Sequence, residues 1–137
     1  FAFSGDGSFT MTPQILFDAV EYGVKGCLLI FDNRAMGAIG SLQEAQYGTV
    51  YRTHDSVQVD YVALAAAVKG VNALFGGYDQ QSFKEAMEKA YAYDGFSVIC
   101  VPVYIGNDEM GGLGAFGSWN VGEWCDAVQA EHHRLGL

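Results

Sequence analysis

Basic residues are scarce in this sequence. Seven Lys and Arg stand against 16 Asp and Glu, which gives a formal net charge of −9. The cations are also scattered along the chain, whereas a nucleic-acid-binding surface needs clustered Lys and Arg. We therefore expect no nucleic-acid partner, and we interpret the acidic excess as an aid to solubility.

Long apolar runs are missing as well. The longest apolar run, residues 26–31, is far shorter than the roughly 20 residues that cross a bilayer. No basic-then-apolar leader precedes the first predicted strand, so we expect neither membrane insertion nor secretion. The three cysteines, Cys27, Cys100 and Cys125, form no close pair and no metal-type spacing. An odd number of thiols is typical of a reducing compartment, and we expect a cytoplasmic protein.

Two common nucleotide-binding signatures are absent. The sequence has neither a Gly-x-Gly-x-x-Gly fingerprint nor a Walker-type lysine, which argues against a generic nucleotide-binding domain. What the sequence does have is 137 residues, half of them hydrophobic and only 17% charged. This composition indicates a folded domain with a real core.

Strand-like and helix-like segments alternate along the first three quarters of the chain. Helix starts are predicted at Thr12-Pro13, at Asp60 and at Asp79, because a capping side chain precedes an apolar pattern of helical period. Continuous apolar runs predict buried strands at residues 1–4, 26–32, 71–75 and 96–104. The alternation predicts an α/β fold with a mostly parallel sheet and helices on both faces.

The last quarter of the chain differs in composition. Residues 105–121 are rich in glycine and predict a surface loop, and residues 123–135 predict a final helix. We therefore divide the chain into residues 1–104 and residues 105–137. A sheet rarely starts with a ligand-binding turn at its fifth residue, so we expect the chain to be the C-terminal piece of a larger protein, with a fold incomplete at its N-terminus.

Polar residues follow two successive predicted strands. Gly5-Asp6-Gly7 ends the first strand, and Asp32-Asn33 ends the second, 27 positions after Asp6. Ligands bind beyond the carboxyl ends of strands in open α/β sheets, so the two groups are expected to meet. Carboxylate and amide oxygens are the ligands that Mg²⁺ prefers, commonly shared with substrate phosphates.

The same turn has features that suit a bulky anion. Gly5 is expected to let the chain turn, and Gly7 to let the backbone approach the anion closely. The helix predicted to begin near Thr12 would point its free amide groups to the same place. These features together predict a site for Mg²⁺ and a diphosphate.

Gly5-Asp6-Gly7-Ser8, followed at this distance by a strand that ends in Asn33, resembles the thiamine diphosphate-binding motif of acetolactate synthases, pyruvate decarboxylases and their relatives. The motif usually ends in Asn-Asn, and this chain has Asp32 in the first position. The resemblance implies Asp6 and Asn33 as side-chain ligands of Mg²⁺ and the main-chain carbonyl of Ala35 as a third. It implies a cofactor-binding set made of Gly5, Asp6, Gly7, Ser8, Asn33, Ala35, Met36 and Gly37, and a substrate pocket that includes Ala38 and Leu42.

The resemblance also implies partners. In this family a glutamate of a separate pyrimidine-binding domain activates the cofactor, so no catalytic residue is assigned in this chain, and the isolated chain is expected to be inactive. The upstream part of the cofactor domain is expected elsewhere too. Because the family's cofactor lies between subunits, a homodimer or homotetramer is expected.

Only Leu42 and two short sequence segments narrow the class of reaction. Acetolactate synthases have a tryptophan where this chain has Leu42, whereas "NRAMGAIGSLQ" and "GSWNVGEWCDAVQAEHHR" resemble the trihydroxycyclohexanedione hydrolases of inositol breakdown. The resemblance implies C–C bond cleavage or formation next to a carbonyl, with hydrolytic opening of a cyclic 1,2-diketone as one form. A carboligase or 2-oxo acid decarboxylase is the alternative, and a non-catalytic cofactor-binding or assembly module is the alternative of another class.

Overall fold

A computed structural model describes residues 1–53 and 57–103, together with residues 130 and 134. The chain forms two compact units, Phe1–Arg34 with Val57–Tyr104, and Ala35–Ser56 with Ile105–Leu137. Our predictions of a loop over residues 105–121 and a helix over residues 123–135 lie outside the described residues. None of the helices that the structure describes has the length and apolar character that a bilayer crossing requires.

The described elements follow one another as strands and helices. In chain order they are β1 (Ala2–Gly5), α1 (Asp6–Met11), α2 (Ile15–Glu21), β2 (Gly26–Asp32), α3 (Gly37–Tyr47), α4 (Tyr61–Ala66), β3 (Val71–Phe75), α5 (Gln80–Ala92) and β4 (Phe96–Pro102). All of them except α3 belong to the first unit. The four predicted strands are confirmed to within two residues at each end, with β4 ending at Pro102. The predicted burial of the first strand is wrong, because β1 is mostly exposed.

The four strands of the first unit form one sheet in the order β1-β2-β4-β3. Every pairing is parallel, with Ser4 opposite Ile30 and with Val98 between Leu28 and Ala73. Parallel neighbours need crossover connections, and the helices between the strands supply them. The carboxyl ends of all four strands therefore lie along the same edge of the sheet.

Hydrophobic clusters cover both faces of the sheet. Strand side chains alternate between the faces, so Leu28 and Ile30 pack in one cluster with residues of α1, α2 and α4, namely Phe9, Leu16, Ala19, Tyr61 and Ala65. Leu29 and Ile99 pack in the other with Ala86 and Ala90 of α5. The predicted α/β fold with helices on both faces is confirmed.

Two of the three predicted helix starts are confirmed by their capping bonds. The Asp60 carboxylate accepts from the Ala63 amide at 2.9 Å, and the Asp79 carboxylate accepts from the Ser82 amide at 2.8 Å. The start predicted at Thr12-Pro13 is displaced, since α2 begins at Ile15 and no side chain caps it. Thr12 and Pro13 instead form the turn before α2, where the Pro13 carbonyl accepts from the Leu16 amide at 3.1 Å.

Most of the described residues of the second unit belong to α3 and the segment that follows it. The Gln43 side chain makes two hydrogen bonds to the Tyr51 backbone. Its Oε1 accepts from the Tyr51 amide at 2.8 Å, and its Nε2 donates to the Tyr51 carbonyl at 3.2 Å. The Met36 amide donates to the Thr53 carbonyl at 2.7 Å. A Cβ on Gly40 would lie 3.1 Å from Oγ1 of the buried Thr53, so the glycine allows this close approach.

Candidate functional site

The first strand ends in a buried carboxylate. β1 ends at Gly5 and α1 begins at once with Asp6, whose side chain is only 2% exposed. Removing a carboxylate from water is costly unless something compensates its charge. A buried aspartate at the carboxyl edge of a parallel sheet is therefore a candidate functional residue.

The second strand ends beside the first. Gly5 lies opposite Phe31, so Asp6 leaves β1 next to the point where Asp32 and Asn33 leave β2. The main-chain carbonyl of Asp32 accepts from the Val103 amide at 2.9 Å, which ties the end of β2 to β4. The structure thus places the two strand ends that carry the predicted polar groups side by side.

The predicted reason for the glycine at position 5 is wrong. Gly5 has φ −76° and ψ 156°, an extended conformation that any residue adopts, so the chain needs no glycine there in order to turn. A Cβ at this position would meet no atom within 4 Å. The glycine therefore leaves open space beside Asp6, and Gly7 and Ser8 follow in the first turn of α1.

The helix that follows the turn also differs from the prediction. We predicted the helix after this turn to begin near Thr12, but α1 already occupies Asp6–Met11 and ends where the Thr12 amide donates to the Phe9 carbonyl. The helix next to the Gly-Asp-Gly turn is therefore α1, and the predicted role of a helix near Thr12 is not supported. Phe9 buries the inner face of α1 against the sheet.

Acidic groups set the electrostatics of this edge. Burial raises the pKa of the Cys100 thiol near the end of β4 to about 11, and the nearby negative charges of Asp32, Asp60 and Asp6 add to the increase. Three carboxylates from different elements therefore act on one point at the carboxyl edge. A negative field of this kind favours a cation.

A cavity of about 560 Å³ opens at the same edge of the first unit. Its lining includes Asp32, Arg34, Asp60, Tyr61, Tyr78 and Cys100. Sequence reasoning did not place Asp60, Tyr78 or Cys100 near the candidate site. The rule that ligands bind at the carboxyl ends of strands, applied to β3 and β4 as well, would have indicated Tyr78 and Cys100. Asp60 precedes α4 and follows no strand end, so this rule does not indicate it.

The remaining predicted site residues belong to the second unit. Ala35 is buried, Gly37 and Ala38 begin α3, and Leu42 lies one turn further along the helix. The Met36 backbone is held by the hydrogen bond that its amide donates to the Thr53 carbonyl. The predicted roles of these residues in binding a cofactor or lining a substrate pocket stay predictions.

The donor set fits a hard divalent cation. Among the described residues, no three His, Cys, Asp or Glu side chains are arranged to hold a metal ion. A metal at Asp6 therefore needs other oxygen ligands, and an asparagine amide beside the same strand end is such a ligand. Carboxylate, amide and main-chain carbonyl oxygens together are typical of Mg²⁺.

A family model places this chain among known proteins. Residues 1–101 match the family described as thiamine pyrophosphate enzyme, C-terminal TPP binding domain. The matched segment includes the sheet and both polar strand ends. The chain therefore belongs to this family of thiamine diphosphate-dependent enzymes.

Individual relatives fall within the same family. Over 96 residues the chain is 35% identical to a 3D-(3,5/4)-trihydroxycyclohexane-1,2-dione hydrolase of Lacticaseibacillus casei, with 66% of this chain and 15% of that protein covered. Among solved structures, it is similar to benzoylformate decarboxylase from Polynucleobacter necessarius, with a TM-score of 0.67, 26% identity and coverage of 74% of this chain and 19% of that one.

Another solved structure is the thiamine diphosphate-dependent 4-hydroxybenzoylformate decarboxylase of Rhodococcus jostii RHA1, with a TM-score of 0.65, 25% identity and coverage of 78% of this chain and 20% of that one. The chain thus spans about one sixth to one fifth of the length of the relatives that it matches.

Proposed function

We propose that this chain is the part of a thiamine diphosphate- and Mg²⁺-dependent enzyme that binds the diphosphate through the metal. The observation that carries the proposal is the buried Asp6 carboxylate at the end of β1, beside the strand end that leads to Asn33. A carboxylate oxygen at this position is a ligand of the kind that Mg²⁺ prefers, and the cation would balance its negative charge. The family membership supports the identity of the cofactor.

Each residue of the proposed site has a defined task. Asp6 and Asn33 supply side-chain oxygens to Mg²⁺, and Ala35 supplies its main-chain carbonyl. Gly5, Gly7 and Ser8, with the backbone of Met36 and Gly37, hold the diphosphate. The open space beside Gly5 supports this assignment, because a side chain there would occupy it.

When bound, thiamine diphosphate supplies the nucleophilic carbon and the electron sink for making or breaking C–C bonds next to a carbonyl. The residues of this chain bind and orient the cofactor and transfer no proton. We propose that the activating glutamate comes from a pyrimidine-binding domain, that the upstream part of the cofactor domain accompanies it, and that the enzyme is a homodimer or homotetramer.

The test is cofactor binding by the intact protein. Titration calorimetry with thiamine diphosphate and Mg²⁺ should show affinity lowered at least about tenfold by Asp6→Asn, since a metal ligand matters at least as much as the groups behind it. Asp94→Asn is the matched control, because Asp94 is exposed and precedes β4 at the opposite edge. Equal affinities for Asp6→Asn and wild type would refute the assignment.

For the substrate, we propose a cyclic 1,2-diketone that is opened by hydrolysis. The support is that relatives named as hydrolases of such a compound share 34–39% identity with this chain, against 25–26% for the decarboxylases. Decarboxylation of a 2-oxo acid is the second candidate, favoured by the similarity of fold to the decarboxylases. Supplying trihydroxycyclohexane-1,2-dione and benzoylformate separately distinguishes them, because one yields a ring-opened acid and the other yields CO₂.

The proposal of a non-catalytic module makes a different prediction. Such a protein would bind thiamine diphosphate with the affinity expected above, but it would turn over neither compound. Turnover that requires both the cofactor and Asp6 supports the enzyme. Binding without turnover of either compound, and without condensation of a 2-oxo acid as the alternative carboligase reaction, supports the module.

A further inference from the structure

Asp32 makes two hydrogen bonds that fix the turn carrying Asn33, one from its main chain and one from its side chain. The Asp32 carbonyl accepts from the Val103 amide at 2.9 Å, which fixes the start of the turn to β4. The Asp32 side chain reaches forward, and its Oδ1 accepts from the Arg34 amide at 3.1 Å. Asn33 is the residue enclosed between these two bonds.

The backbone after Asn33 has an unfavourable conformation. Arg34 has φ +54°, in the left-handed region that a residue with a Cβ rarely adopts. An aspartate that hydrogen-bonds the amide two residues further on stabilises a tight turn of this kind. The bond from Arg34 to Asp32 therefore offsets the cost of the left-handed residue and favours this turn over the alternatives.

We propose that Asp32 is a positioning residue for Asn33: its carboxylate selects the turn that presents the Asn33 amide to the metal. This inference rests on the proposed function. Asp32 acts here through geometry, as a hydrogen-bond acceptor, and its negative charge is not required. An asparagine in its place would accept the same bond with its side-chain oxygen.

The test is a cycle of variants at positions 32 and 34, read out as Mg²⁺ affinity of the intact protein at saturating thiamine diphosphate. Asp32→Ala should weaken Mg²⁺ binding about tenfold or more, as is typical when a group that orients a metal ligand is lost. Asp32→Asn should stay within about threefold of wild type, because it keeps the acceptor.

Arg34→Gly completes the cycle. Glycine adopts a positive φ without penalty, so the turn no longer depends on the bond to Asp32. Adding Asp32→Ala to Arg34→Gly should therefore change Mg²⁺ affinity by less than about threefold. If Asp32 acted only through its charge, Arg34→Gly would not rescue the Mg²⁺ affinity that Asp32→Ala removes. Thermal unfolding of every variant, measured in parallel, shows whether a loss of metal affinity reflects a loss of folding.

The outcomes separate this inference from the function on which it rests. If wild-type protein binds no Mg²⁺ with thiamine diphosphate, both the proposed function and this inference are refuted. Wild-type binding with Asp32→Ala unchanged would overturn the positioning role alone. So would an Asp32→Asn variant that folds normally but binds Mg²⁺ as weakly as Asp32→Ala. If Asp32→Ala fails to fold, Asp32→Asn and the cycle in the Arg34→Gly background still decide the question.

Discussion

Phe9 should be essential to α1, the helix that the sequence did not predict. α1 has six residues, far fewer than the roughly 12–15 that an isolated helix needs to be even marginally stable. Its stability must come from packing, and Phe9 is 2% exposed in the cluster under the sheet. Its ring meets Tyr61 of α4 edge to face, with centroids 6.0 Å apart and planes at 75°.

The magnitude follows from these contacts. Phe9→Ala should lower the free energy of unfolding by about 3–5 kcal/mol, the usual cost of emptying a fully buried phenylalanine site. Phe9→Leu keeps most of the buried apolar surface and loses the aromatic pair, which is worth about 0.5–1.5 kcal/mol. We therefore expect a cost of about 1–2 kcal/mol for the leucine variant.

Urea unfolding of the intact protein measures both values, and a double-mutant cycle of Phe9→Leu with Tyr61→Leu isolates the ring contact. Since Asp6 starts α1, Phe9→Ala should also weaken Mg²⁺ binding, whereas Phe9→Leu should do so much less. A cost below about 1 kcal/mol for Phe9→Ala would show that α1 does not depend on this packing and would refute the reasoning.

Further outcomes concern a turn, a thiol and a cap. Gly77→Ala should cost at least about 1–2 kcal/mol in thermal or urea unfolding, because φ is +75° and the new Cβ would clash with Cβ of Ser82. Gly26→Ala is the control and should be nearly neutral, because a Cβ there meets no atom within 4 Å. The pKa of Cys100 is raised from 9.0 to about 11 in the fold, so the contribution of this thiol to stability is complete below pH 9 and is lost between pH 9.0 and about 11. Over that range, the free energy of unfolding of wild type should fall relative to that of Cys100→Ala. Asp60→Ala should cost about 1 kcal/mol by removing the cap of α4, and Asp60→Asn much less.

The strands were predictable because their signal is local. Runs such as residues 27–31 and 98–102 are apolar at every position, as is typical of strands covered on both faces. The caps at Asp60 and Asp79 were predictable for the same reason, since each is a capping side chain directly before a helical pattern. These signals also sufficed to predict the α/β class and the two polar strand ends.

Other features depend on contacts distant in sequence. The place of β4 between β2 and β3 follows from long-range pairing, which no local pattern encodes. α1 offers a single buried apolar residue, Phe9, and so gives no helical period to detect. The turn at residues 32–34 needs a left-handed arginine, which the sequence alone does not suggest. The cavity lined by Asp60 and Tyr78 likewise requires the sheet order.

The most direct test of the central claim is to locate the metal. Crystals of the intact protein grown with thiamine diphosphate and Mn²⁺, which substitutes for Mg²⁺ and scatters anomalously, should show one anomalous peak about 2 Å from both an Asp6 carboxylate oxygen and the Asn33 amide oxygen, as octahedral sites of this kind require. A peak that touches neither side chain, or bound cofactor with no peak between them, would contradict the account.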